Sequence, residues 1–374
     1  MERVLIAGSA RTPIGIYDGK LKDLKEEKLA VIAVQDALSK AHLAGEHVDE
    51  IVIGIAKQTS SPSNAARYIG LAAGLPETVP AYTVQCQGAS GLQAVVNGFT
   101  KIRAGSADVI LAGGAESMSQ IPYEIQDARY DFRPDKIVMD PIPAMVAGGQ
   151  PKERYGRLTI QDMNRAIAAA HGISLEAQEA YAAASLAKAR ASTLEEELVP
   201  VEVRVKKNRE SVTADELYCK PEVTAGAADA AAMCVLIGET AAQRLQTSVI
   251  AELVSVGLSA GSPAGEGMVG AAAVQKALTK AGKTADEIDL IAVNEATAAQ
   301  ALSVIAALGL SAGEAEKKVN PYGGALASGN PWGAAGCVEL HKLLCGLKAQ
   351  NKQWGLVVCG GEGGQALAAV VKMR

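Results

Sequence analysis

The sequence predicts an α/β protein made of two duplicated halves with an inserted loop region. Three observations predict it: an internal repeat, apolar strand-like runs, and an aliphatic composition. Segment 34–54, VQDALSKAHLAGEHVDEIVIG, aligns without a gap on 274–294, VQKALTKAGKTADEIDLIAVN, at an offset of 240 residues with eight of 21 positions identical. Both copies read helix, turn, strand. In the first, Leu29, Ile32, Ala33, Ala37 and Leu38 recur at helical spacing, and EIVIGIA follows as a β-branched run suited to a strand buried on both faces. The 374 residues are 49% hydrophobic but only 3% aromatic, enough to bury a large aliphatic core.

A second correspondence follows each copy. A Gly/Ala/Ser-rich turn (GASGLQAVV; GNPWGAAGCVEL) opens a helix, and an apolar strand then ends in glycines (DVILAGGAES; GLVVCGGEGG). Alternating helices and buried strands predict mostly parallel sheets with right-handed crossovers, and the duplication predicts two α/β halves about a pseudo-twofold axis. The first half is expected at 1–119 with 161–245, and the second at 246–374. Between them, 120–160 carries Pro122, Pro134, Pro141, Pro143 and Pro151, and reads as an inserted loop region over one face. HGISLEAQEAYAAASLAKARAS, within 161–195, is strongly helical.

Charge and cysteine usage exclude several function classes. Lys and Arg number 36 against 41 Asp and Glu, a net charge of −5 with no basic block to track a phosphate backbone, so nucleic acid is excluded as a partner. No run has the length and apolarity of a signal peptide or membrane span, and a cytoplasmic protein with no membrane partner is expected. The six cysteines form no C-x-x-C pair and have no clustered histidines, which predicts neither a metal site nor a disulfide framework. Any mechanism needing an imidazole must draw on His42, His47, His171 or His341.

Motifs along the whole chain resemble those of thiolases, the acyl-CoA acetyltransferase branch of that superfamily. They are SARTPIG at 9–15, AGLPETVPAYTV at 73–84, ASGLQAV at 89–95, IRAGSADVILAGGAESMS at 102–119, HGISLEAQEAYAAAS at 171–185, NEATAAQ at 294–300, NPYGGALASGNPWGAAG at 320–336 and VVCGGEGG at 357–364. The resemblance implies a five-layered αβαβα fold, a homodimer or homotetramer, and acyl groups carried on coenzyme A as substrate or ligand, with no permanently bound cofactor.

Residue by residue, the resemblance carries over unevenly. Thiolases form an acyl-enzyme on a Cys in a pattern like V-N-x-x-C-x-S-G-L, and here that position is Gly88, which has no nucleophile. Cys86 stands two residues earlier, about 6–7 Å along an extended chain. Reacting atoms must approach to roughly 3–3.5 Å, so a nucleophilic Cys86 requires a local bulge; otherwise it is a small buried side chain. The base of the family's G-H-P turn is replaced by Asn330 in Gly329-Asn330-Pro331, whose amide still donates a hydrogen bond. Each of the four histidines reads better as structural.

Cys359 matches the family's second cysteine, the acid/base that handles the α-proton; its alternative is an inherited buried residue. Asn294 retains the N-E-A turn whose Asn holds a water in one oxyanion hole, although the usual following Phe is Thr297. The N–H groups of Gly361 and Gly88 would form the other oxyanion hole. Ser255 matches a Ser that touches the pantetheine arm, and Asn320 with Gly323-Gly324 reads as architecture. Arg154-Tyr155-Gly156 replaces His-Met-Gly, the 206–233 loop is shortened, and the basic cluster Arg204, Lys206, Lys207 and Arg209 meets either phosphates or solvent. The expected function is therefore a thiolase-like protein acting on or binding acyl-CoA thioesters, with ordinary thiolysis lost. The alternative is an inactive homologue serving as an acyl-CoA-binding or hetero-oligomeric partner subunit.

Overall fold

The computed structural model describes residues 2–59, 62–125, 128–130, 133, 137–194, 198–263 and 269–374. A single hydrogen-bonded path of strands runs Leu290–Val293, Trp354–Gly361, Gln365–Met373, Ala251–Ala260, Val4–Arg11, Ala228–Gly238, Val109–Ser117, Glu50–Gly54, Ala81–Val84. The two halves join along one edge, where Val4–Ile6 pairs antiparallel with Ala251–Leu253.

Side-chain alternation along these strands separates the layers. In Ala228–Gly238, Ala230, Ala232, Cys234 and Leu236 face the central core, while Ala231, Met233, Val235 and Ile237 face the outer one. In Gln365–Met373, Leu367, Ala369 and Val371 face the centre, and Ala366, Ala368 and Val370 face a third core. The central core is filled by the helices Ser90–Arg103 and Trp332–Ala349, sandwiched between the two half-sheets. Glu26–Ala41 and Ala65–Ala72 cover one outer face, and Val269–Ala281 and Ala298–Leu308 the other. This is the expected five-layered αβαβα fold.

The expectation of mostly parallel sheets is corrected. Among the described strands, parallel ladders join Glu50–Gly54 with Ala81–Val84, Glu50–Gly54 with Val109–Ser117, and Leu290–Val293 with Trp354–Gly361. Ala228–Gly238 inserts antiparallel between Val4–Arg11 and Val109–Ser117, and Gln365–Met373 returns from Trp354–Gly361 as a hairpin. A three-residue connection cannot make a crossover, so the strands it joins must be antiparallel. That connection is Glu362-Gly363-Gly364, in which both glycines hold positive φ, 81° and 75°.

The helices Ile160–His171 and Leu175–Arg190 lie within the range assigned to the first half, yet they pack on Ala298–Leu308 and Ala325–Ser328 of the second. In the 120–160 region, the described residues form a short hairpin (Glu124–Ile125 with Val138–Met139) and the helices Pro141–Ala147 and Lys152–Tyr155. Met145 and Val146 bury against Ala56, Met118 and Trp332, which seats this region over the start of the central helix Trp332–Ala349.

That helix is buried on almost every side, so its polar residues need internal partners. His341 Nδ1 shares a 2.7 Å hydrogen bond with Ser9 Oγ. Lys342 approaches Asp215 at 3.9 Å, and Asp215 receives Arg11 through two bonds of 2.7 and 3.0 Å. The helix starts meet with almost no space between backbones. A Cβ on Gly91 would lie 2.5 Å from the Gly333 carbonyl oxygen, and one on Gly114 only 2.0 Å from the same atom. Gly114→Ala is therefore expected to cost about 2–4 kcal/mol through forced separation of strand and helix. Denaturant unfolding monitored by circular dichroism measures it, and a loss below about 0.5 kcal/mol would contradict this packing.

Candidate active site

Gly88 and Asn330 lie at equivalent places in the two halves. Gly88 precedes the central helix Ser90–Arg103 by two residues, and Asn330 precedes Trp332–Ala349 by two. Around Gly88 the chain makes a tight turn. Cys86 N–H donates to Ser90 Oγ at 2.8 Å, Ser90 Oγ donates to the Gln87 carbonyl at 2.6 Å, and Gln87 takes φ +52°. This turn places Gly88 beside the end of the strand Trp354–Gly361.

Cys359 Sγ donates to the Gly88 carbonyl at 3.3 Å, so the strand-end thiol and the nucleophile position adjoin. Cys359 is fully buried, and burial pushes its pKa far above the ordinary thiol value. The negative charges of Glu339 and Glu362 push the same way, and the facing Asn294 amide offsets them in part. Cys86 is half-buried, and burial raises its pKa too. Neither thiol is set up as a thiolate.

Asn294 donates its backbone N–H to Val358 at 2.9 Å, which holds the N-E-A turn against the strand that carries Cys359. Its side-chain amide is buried facing the Cys359 thiol, and among the described residues neither of its polar atoms meets a partner at full hydrogen-bond geometry, which holds also for Asn330 Oδ1 and Gln87 Oε1. Buried amides in this condition are rare and mark places where a ligand or water belongs. Asn330 is placed by its N–H, which donates to Gly226 at 2.8 Å. The shortened segment 223–227 also holds the N-E-A turn, because Ala225 N–H donates to Ala296 and Ala298 N–H donates to Val223. Thr297 caps the helix Ala298–Leu308 by accepting from Gln300 N–H at 3.1 Å, and this gives the Phe-to-Thr departure a structural role.

One residue of the site was not anticipated. Glu362, at the tip of the hairpin after Cys359, is only 5% exposed, and its Oε2 lies 3.4 Å from Gly88 N–H. The carboxylate therefore occupies one of the two donors expected to form an oxyanion hole. Gly361, carrying the other, ends the strand in register with Gln365. Burial raises the pKa of Glu362, and hydrogen bonds from its own backbone N–H and from the Gly88 N–H oppose the rise. Glu362 also lines a cleft of about 60 Å³, together with Thr297, Gln300, Gly360 and the apolar side chains Met163 and Ile167. The sequence signal was present as an isolated acid in G-G-E-G-G, read there only as part of a glycine-rich turn.

Ser255 is a correction. Its hydroxyl is buried and donates to the Ala277 carbonyl at 2.7 Å, so it is used in packing the strand Ala251–Ala260 against the outer helix and is not free for a pantetheine arm. Asn320 is architectural, as expected: it bonds both backbone groups of Val293 and the Glu295 carboxylate. Glu295 is a fully buried hub that accepts from Tyr181, Ser185, Asn320 and the Leu326 N–H. His42 closes a helix in a left-handed conformation, His47 lies in a 3-10 turn and His341 is pinned by Ser9. His171 ends the helix Ile160–His171 and does not line the cleft. Arg204, Lys206, Lys207 and Arg209 stand exposed on the hairpin formed by Val201–Val205 and Asn208–Val212, and Arg154 is exposed with its guanidinium over the Tyr155 ring. Among the described residues, no group of three or more His, Cys, Asp or Glu could hold a metal ion.

This geometry agrees with comparisons to known proteins. Acetyl-CoA acetyltransferase of Syntrophomonas wolfei is 34% identical, covering 99% of this chain and 98% of its own. A probable acetyl-CoA acyltransferase of Staphylococcus aureus is also 34% identical, covering 99% of each. The crystal structure of Bacillus anthracis acetyl-CoA acetyltransferase superposes with a TM-score of 0.92 at 28% identity, covering 100% of this chain and 99% of its own. Human mitochondrial 3-ketoacyl-CoA thiolase in complex with CoA superposes with a TM-score of 0.90 at 28% identity, covering 100% and 98%. The thiolase N-terminal domain model matches residues 4–232 and the thiolase C-terminal domain model residues 247–373, so the chain belongs to the thiolase family.

Proposed function

We propose that this thiolase-family protein binds acyl-CoA thioesters and acts on them without an acyl-cysteine intermediate. The observation that carries this reading is the direct apposition of Cys359 Sγ to the backbone of Gly88 at 3.3 Å, where a nucleophilic side chain would have to stand. A CoA thioester as ligand is supported by the human thiolase bound to CoA, which shares the fold over this whole chain. The Asn294 side-chain N–H group, buried without a partner among the described residues, is a donor available to a thioester carbonyl. Loss of the nucleophile and its base together would remove the covalent route while leaving the Asn294 amide as a donor for the thioester oxygen.

A second reading, a partner subunit or oligomer, is favoured by the exposed Tyr123, Ile125, Tyr130, Ile137 and Val138 of the 120–160 region. Light scattering across a concentration series tests it, and a monomer at every concentration would count against self-association.

Thiol reactivity tests the first reading directly. At neutral pH, iodoacetamide is expected to label the exposed Cys219 first, with Cys86 and Cys359 resistant until the fold is opened. Peptide mapping of the adducts checks this, and fast stoichiometric labelling of Cys86 would show an activated nucleophile.

Intact-protein mass spectrometry after incubation with acetyl-CoA and acetoacetyl-CoA is expected to show no acetyl adduct, alongside negligible thiolysis. Repair is sterically open at Gly88, because a Cβ there meets only ordinary contacts of 3.4 Å to Gly360 O and 3.7 Å to Glu362 Oε2, at a φ that is not positive. Gly88→Cys with Asn330→His is expected to form an acetyl-enzyme that neither single change forms, since nucleophile and base act as a unit. Adding Glu362→Gln should speed acylation, because a neighbouring negative charge disfavours the thiolate. A folded double variant that binds CoA and stays unacylated would show that the acyl subsite itself is closed.

A further inference from the structure

We propose that Glu362 is the base of this site, taking an α-proton from the acyl group of a bound CoA thioester to leave an enolate held beside Cys359 and Asn294. The inference rests on reading the site as an acyl-CoA site, and it assigns the group that works there. The C–H bond breaks, and its electron pair becomes the C=C bond of the enolate with the charge on the thioester oxygen. The proton passes to the Glu362 carboxylate and returns on reversal. No further reactant is needed.

Contrast with a second buried glutamate carries the assignment. Glu116 ends the strand Val109–Ser117, and its carboxylate is satisfied by N–H donors from Ala56 at 2.8 Å, Gly333 at 2.9 Å and Lys57 at 3.3 Å. That carboxylate is committed to structure. Glu362 is almost as buried, is held by the Gly88 N–H at 3.4 Å and by its own backbone N–H, and unlike Glu116 it lines the cleft. A carboxylate held out of water and lining a cleft is a stronger base than a solvated one.

The thiol beside it is unsuited to the same task. Cys359 is buried, donates to the Gly88 carbonyl, and is pushed up by the charge of Glu362 among other causes, so at neutral pH it holds its proton. Two interacting acids with separated affinities divide the roles: the carboxylate accepts and the thiol donates. The Asn294 amide, buried facing the Cys359 thiol, supplies a donor for the enolate oxygen. Gly88 supplies no nucleophile, so the enolate forms without acyl transfer at that position.

The test is hydrogen–deuterium exchange at the α-carbon of acetyl-CoA and of butanoyl-CoA in D2O, read by mass spectrometry of the thioester against an enzyme-free control. Calorimetry with CoA and a thermal melt accompany each variant. The full-length protein is expected to catalyse exchange. Glu362→Gln should slow it by roughly 10²- to 10⁴-fold with CoA binding and melting temperature unchanged. Should Glu362→Gln fail to fold, Glu362→Asp, which withdraws the carboxylate by one methylene, is expected to slow exchange at least about tenfold. A folded Glu362 variant of either kind exchanging at the unsubstituted rate overturns the assignment. Exchange no faster than the control, from protein that binds CoA, overturns it too but leaves the acyl-CoA reading standing. Absence of CoA binding overturns both.

Discussion

Glu116 leaves water at the end of a strand in the first half, and the N–H that meets it at 2.9 Å belongs to Gly333, at the start of the central helix of the second half. Burial alone would push this carboxyl upward, and to about 7 it does, against the pull of three backbone donors. Those donors include the electropositive end of an 18-residue helix, where negative charge is most favoured. The contact locks the start of Trp332–Ala349 onto the first half, and Asn330 lies just before that start. With Gly91, Gly114 and Gly333 in backbone contact beneath it, neither central helix can shift without moving the other.

Glu362 makes a comparable contact from the second half. It follows the equivalent strand of the second half and meets Gly88, ahead of the central helix of the first. Each half thus sends a strand-end carboxylate to the helix start of the other. The two differ in satisfaction: one is fully engaged and the other faces a cleft.

The duplicated halves were legible because each copy keeps its helix-turn-strand spacing, and such local patterns survive in periodicity. Pairing between distant strands leaves no periodic trace. Ala228–Gly238 reads as a buried strand whichever neighbours it has, and its antiparallel placement between Val4–Arg11 and Val109–Ser117 depends on the whole fold. For the same reason, the attachment of Leu175–Arg190 to the second half through Tyr181, Ser185 and Glu295 was hidden. In the candidate site, Gly88, Asn330, Cys359 and Asn294 were singled out from their motifs. Ser255 was misjudged because a hydroxyl in a motif does not disclose that a helix carbonyl already holds it. Glu362 was passed over because its importance lies in facing Gly88, 274 positions away.

The inserted region's contact with Trp332 has an optical consequence. Only two tryptophans occur in the chain. Trp354 lies between the ammonium groups of Lys283 and Lys372, at 4.7 and 5.3 Å from its ring. Trp332 is 8% exposed, packed among Met118, Met145 and Val146, two residues after Asn330. An indole held among apolar walls is expected to emit at shorter wavelength than a solvated one and to respond when its neighbours move. The molecule thus carries an intrinsic fluorophore two residues from Asn330, with the second indole as an internal reference.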